Sequence, residues 1–226
     1  MRKLLYVPII HMESDMGGVA STLDGKSALL CGEWRWAKHK ETVTKFWENL
    51  THYFDSLDAT NLKIYQDGLL ADGELGRRII EEGARRGSIN HQLILKLVKR
   101  GAEIRKTENP SLLKKEYKYI TKLAQSKSAV EKAQVYVGYK LRKGRLMEER
   151  DRFIAGTINE TLKEGEVGVL FIGSYHDVVP YLSKDIAVEQ VKERERVNAY
   201  FEELTSRRDG KRFEQLAKYL TSPSTP

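Results

Sequence analysis

Between Gly165 and Gly173 lies the run Val167-Gly168-Val169-Leu170-Phe171-Ile172, which contains no polar side chain. A strand with one face in water alternates apolar and polar residues. A short run that does not alternate has both faces buried, as happens when helices cover both sides of a parallel sheet. Leu4-Leu5-Tyr6-Val7-Pro8-Ile9-Ile10 makes the same demand near the start of the chain. Pro8 lacks the N–H that a central strand gives to its neighbour, so an irregular strand end is expected there.

Two such strands need crossovers, and the intervening sequence supplies them. Val43, Phe46, Trp47, Leu50, Tyr53, Phe54 and Leu57 recur at helical spacing within 38–57. Residues 61–68 read as a second strand closed by Asp67-Gly68, and 72–83 as a helix stopped by Gly83. Ser88 caps a helix through Arg100 that Gly101 ends, and 102–107 is a weak third strand. Strand, helix, strand, helix, strand is the grammar of right-handed crossovers, so the expected fold class is α/β: a mostly parallel central sheet flanked by helices. Pro110 and Ser111 open a helical section to about Gly165, with breaks near Ser126 and Gly144. Residues 187–220 read as charged helix interrupted at Asp209-Gly210, and 221–226 as a disordered Ser/Thr/Pro tail. The expectation is one domain over 1–220, with a long glycine-containing loop over 11–32.

Composition narrows the functional classes. With 226 residues, 40% of them hydrophobic, the chain can bury one large core. A single cysteine, Cys31, excludes an internal disulfide and a cysteine-based zinc cluster and fits a reducing compartment. The first apolar run is too short to span a bilayer and no cleavage site follows it, so a cytoplasmic protein without a transmembrane segment is expected. The net charge of +7 is uneven: 95–152 holds 17 Lys or Arg against 7 Asp or Glu. Such a region can steer an anionic ligand, a membrane surface or a nucleic acid. Solvated helix faces are the plainer reading, and without an RNA or DNA motif nucleic acid is not the expected partner. Nothing in the sequence decides for or against a homo-oligomer.

In open parallel sheets ligands bind beyond the carboxyl ends of the strands. That rule gathers His11, Glu13 and Asp15 after the first strand, Asp67 after the second, Thr107 and Glu108 after the third, and His176 and Asp177 after the fourth. Imidazole with carboxylate suits a divalent metal, or a histidine–carboxylate pair that activates water without one. Each residue also has a bland reading. His11 can cap a strand, Asp67 can serve the turn before Gly68, and Glu108 can be the N-terminal charge of a helix. Arg150 falls within the apolar stripe Leu146, Phe153, Ile154, Ile158 and Leu162, where a buried guanidinium needs an anionic or carbonyl partner. Asp151 and Arg152 read as turned away from that stripe. His39, His52 and His91 read as surface or packing residues, and Trp34 and Trp36 as packing around Arg35.

Glu149-Arg150-Asp151-Arg152-Phe153-Ile154-Ala155, then the strand ending Gly173-Ser174-Tyr175-His176, then Pro180-Tyr181-Leu182 resembles the C-terminal part of the TraB/TIKI/erythromycin-esterase superfamily. Its Gly-x-x-His motif matches Gly173 to His176, and Pro8-Ile9-Ile10-His11 takes the place of the earlier strand and histidine. The resemblance implies a metal-dependent hydrolase, with Mn²⁺ or Zn²⁺, acting on a peptide, ester or amide carbonyl of a small-molecule or peptide substrate. His11 and His176 would be metal ligands or the water-activating base, Glu13 or Asp67 at the sheet end would complete the ligand set, and Arg150 would stabilise the oxyanion. A related branch binds haem, so the alternative is a non-catalytic binding or regulatory module for a small anionic ligand or haem.

Overall fold

The computed structural model describes residues 1–10, 31–126, 128–206 and 209–224. Its strands are β1 (Arg2–Ile9), β2 (Leu62–Gln66), β3 (Glu103–Arg105), β4 (Val167–Gly173) and β5 (Ile186–Gln190). Seven α-helices are described: α1 (Glu33–Asp55), α2 (Gly73–Arg85), α3 (Ile89–Lys99), α4 (Pro110–Gln125), α5 (Ala129–Thr161), α6 (Arg194–Leu204) and α7 (Lys211–Leu220). The strands form one sheet, in the order β3-β2-β4-β1-β5, with every pair parallel. The α/β class expected from the two apolar runs is the one observed.

A right-handed crossover is placed on one face or the other by its direction across the sheet. β1 to β2 and β2 to β3 run toward one edge, and α1 and α3 lie on one face with α6 and α7. β3 to β4 and β4 to β5 run back, and α5 and the segment around Tyr181 cover the other face. The strands divide their side chains accordingly: Leu5, Val7, Ile9, Ile64, Val169 and Phe171 enter the larger core. Leu4, Tyr6, Tyr65, Leu170 and Ile172 enter the smaller one under Ile154, Ala155 and Ile158 of α5 and Leu162 just after it.

Pro8 causes no irregularity, because β1 runs through it in register with β4, Pro8 opposite Ile172. In a parallel strand the N–H and C=O of alternate residues point to the same neighbour. Tyr6 O accepts from Val191 N on the β5 side, so Pro8 faces that side too. The β5 pairing ends at Tyr6 opposite Gln190, so the missing N–H costs no ladder bond.

Three other expectations change. No break occurs at Gly144: α5 is one helix of 33 residues, since a lone glycine costs only about 1 kcal/mol against alanine and good helix formers surround it. α2 passes Gly83 and ends before Gly87, whose φ is +91°. A Cβ at Gly83 would lie 2.6 Å from the His91 ring, so this glycine serves close approach of α3. Finally, Ile186–Gln190 is an edge strand where helix was expected to begin. Of the tail expected to be disordered, Thr221 to Ser224 are described. Asn49 Nδ2 donates to Thr221 O at 2.6 Å, and Lys192 Nζ to Ser222 O at 2.7 Å.

Candidate active site

β2 ends in a turn that presents Asp67, with Asp67 N donating to Phe171 O at 2.9 Å and Gly68 at φ +79°. β4 ends in another turn, closed by His176 N donating to Gly173 O at 3.0 Å. The His176 carbonyl accepts from Tyr6 Oη at 3.0 Å and Arg194 Nη1 at 2.8 Å, so its backbone is held from two elements. After β3, Thr107 N and Glu108 N both donate to Leu69 O, and Thr107 Oγ1 donates to Gln66 O. Thr107 thus ties two strand ends together.

α5 brings Arg150 and Asp151 to this edge. Asp151 Oδ1 accepts from His176 Nδ1 at 2.5 Å, and its Oδ2 accepts from Asp177 N at 3.0 Å. His176 Nε2 faces Asp67 Oδ2 at 3.5 Å. Arg150 Nη2 donates to Asp67 Oδ1 at 3.2 Å and to Glu108 Oε2 at 2.7 Å. Gly173 N donates to the second oxygen of Asp67 at 3.4 Å. The result is a chain of groups, Asp151–His176–Asp67–Arg150–Glu108, laid across the ends of β4, β2 and β3.

Of the residues picked from the sequence, His176, Asp67 and Arg150 meet here. His11, Glu13 and Asp15 lie outside the described residues, which stop at Ile10, whose carbonyl accepts from Trp47 Nε1 at 3.2 Å. Asp177 turns outward and pairs with Arg194 at 2.7 Å. Two readings are corrected. Glu108 is not a helix charge: Asn109 caps α4 by accepting from Ser111 N, and Glu108 is buried against Arg150. Asp151 does not turn away but is only 4% exposed, one of the most buried acids among the described residues. The signal was Ala155. It is fully buried, and a residue four before it shares its face; a stripe judged on large side chains alone passes over it.

Burial pushes the Glu108 carboxyl above the usual carboxylate range, against the opposing pull of Arg150. The described site holds three carboxylates, one guanidinium and one imidazole, an excess of negative charge. A carboxylate only accepts hydrogen bonds, so Nδ1 carries a proton toward Asp151, and in the neutral ring Nε2 is left as acceptor. Asp67 and Glu108 are already bridged by the Arg150 cation, and among the described residues no three His, Cys, Asp or Glu are grouped to hold a metal ion. Of the four ligands expected for Mn²⁺ or Zn²⁺, His11 and Glu13 lie outside the described residues, and of the described pair Asp67 is engaged by Arg150.

Of the remaining candidates, His39 is buried, its Nδ1 3.0 Å from Tyr200 Oη and its ring stacked on Trp36. Trp34 packs edge-on to Phe213, and half-buried Cys31 lies against the larger core. Among the described residues no helix is long and apolar enough to cross a membrane. No family model, no curated protein and no solved structure matches this chain.

Proposed function

We propose that the chain is a hydrolase of an ester, amide or peptide carbonyl in which His176 is the general base and Asp151 orients it. The observation that supports this reading is the 2.5 Å contact of Asp151 Oδ1 with His176 Nδ1, which leaves Nε2 as the acceptor at the sheet edge. Nε2 takes a proton from water as the water oxygen attacks the carbonyl carbon, and returns it to the leaving oxygen or nitrogen. The imidazolium formed in between lies between the carboxylates of Asp151 and Asp67, which stabilise it. Arg150 is the positioning residue for Asp67 and Glu108, since its Nη2 is directed at both. The excess of carboxylate over guanidinium weighs against the alternative of a small anionic ligand held at the same place.

The test is hydrolysis of a panel of activated esters, amides and short peptides by wild type, His176→Ala and Asp151→Asn. Both variants are expected to lose about 10²- to 10⁴-fold in kcat/KM on any substrate the wild type cleaves, with far-ultraviolet circular dichroism unchanged. Variants that fold and turn over at the wild-type rate would sink the proposal.

A further inference from the structure

The net charge of this molecule sits in one place. Residues 110–145 hold ten Lys or Arg against two Asp or Glu, while the rest of the chain is almost balanced at 29 against 30. They form α4 and the first half of α5, a helical hairpin. At 33 residues α5 is about 50 Å long, and within it Ile154, Ala155 and Ile158 join the smaller core, while Leu146 is buried nearer the hairpin. Leu141 to Arg145 are all exposed. Five consecutive helical residues make more than a full turn, so no described residue covers α5 on any side at that level. It is an arm.

The arm is apolar as well as basic. Val137 and Leu141, one turn apart on the same face of α5, are 55% and 79% exposed. Lys114, Lys118, Lys122, Lys143 and Arg145 are exposed on the same hairpin. We propose that this arm docks the protein on an anionic phospholipid surface. Val137 and Leu141 enter the boundary between headgroups and acyl chains, and the basic side chains meet the lipid anions.

Three comparisons favour lipid. A second copy would set one strongly positive arm against another. A nucleic acid would satisfy the lysines but leave Val137 and Leu141 facing phosphate. A folded acidic partner needs an interface of roughly 800 Å² per side, far more than two apolar side chains offer. Weak apolar insertion combined with a basic cluster is the two-signal arrangement that holds proteins at membrane surfaces. The base of the arm adjoins the His176 site, because Glu108 just precedes α4 and Arg150 lies within α5. The docking stands independently of the proposed hydrolysis.

The test is cosedimentation of the full chain with vesicles of phosphatidylcholine alone or mixed with phosphatidylserine, over a salt series. Two variants accompany it: Val137→Ser/Leu141→Ser, and Lys118→Gln/Lys122→Gln/Lys143→Gln, each checked by circular dichroism. Binding is expected only with phosphatidylserine and should weaken as salt rises. Each variant should lose about tenfold or more in affinity, and if the lysine variant misfolds, the salt series alone reads the charge contribution. Absence of wild-type binding, equal binding to both vesicles, or binding untouched by the serine pair overturns the proposal. Capture of a single-stranded RNA without vesicle binding reassigns the arm to nucleic acid.

Discussion

Arg150 and Asp151 are neighbours of opposite charge, the first largely and the second fully withdrawn from water, because the partner of each comes from a different element. Arg150 meets Asp67 and Glu108, whereas Asp151 meets His176. A buried charge without such a partner costs several kcal/mol, so these pairings keep the polar edge of the sheet in one arrangement. His39 shows the opposite solution, a titratable group buried with a neutral hydroxyl and aromatic rings. Burial holds it down to about 4 from an ordinary 6.5. Between those two values the unfolded chain binds a proton that the folded chain does not, so stability falls as pH drops through 6.5 toward 4. The loss approaches about 3 kcal/mol. Urea unfolding of wild type and His39→Gln between pH 4 and 7 should give a flatter curve for the variant; parallel curves would place the pH dependence elsewhere.

At the level of elements, β4 is the strand on which the packing turns. It lies between β1 and β2 and leads into the site. Its Gly168 is there for space: a Cβ would lie 2.7 Å from Leu4 Cδ1 and 3.3 Å from both Leu162 and Tyr65. Gly168→Ala should therefore lower unfolding stability by about 1–3 kcal/mol despite its better strand propensity, as read by chemical denaturation; a neutral or stabilising result would mean that α5 can shift outward on the sheet without cost. The same economy of space explains Gly83 against His91, which reads as a helix stop when only local propensity is considered. Ser88 needs no such context. It accepts from His91 N and starts α3 where the sequence places it.

Across the whole molecule the two faces of the sheet are covered unequally. The larger core gathers α1, α3, α6 and α7, while α5 is the main cover of the smaller one. Local stability should follow that distribution. In native-state hydrogen exchange the amides of β1 and β4 should be the last to exchange, and within α5 the half before Arg145 should exchange well before the half after it. Uniform protection along α5 would show that the arm is covered in solution.

The parallel sheet, its strand cores and the burial of Arg150 could be read from the sequence because each rests on periodicity, which is local: a run that does not alternate must be covered twice, and a charge on an apolar stripe must find a counter-charge. His176 and Asp67 were legible for the same reason, as polar residues at the ends of such runs. Tertiary structure alone decided the rest. Strand order and the place of β5 depend on which edges remain open, and a short, exposed edge strand has no periodic signature of its own. The pairing of Asp151 with His176, 25 residues apart, and of Glu108 with Arg150, 42 apart, depends on how far α5 slides along the sheet. That register is set by Ala155, Ile154 and Ile158 packing on β1 and β4, and no spacing within one segment encodes it.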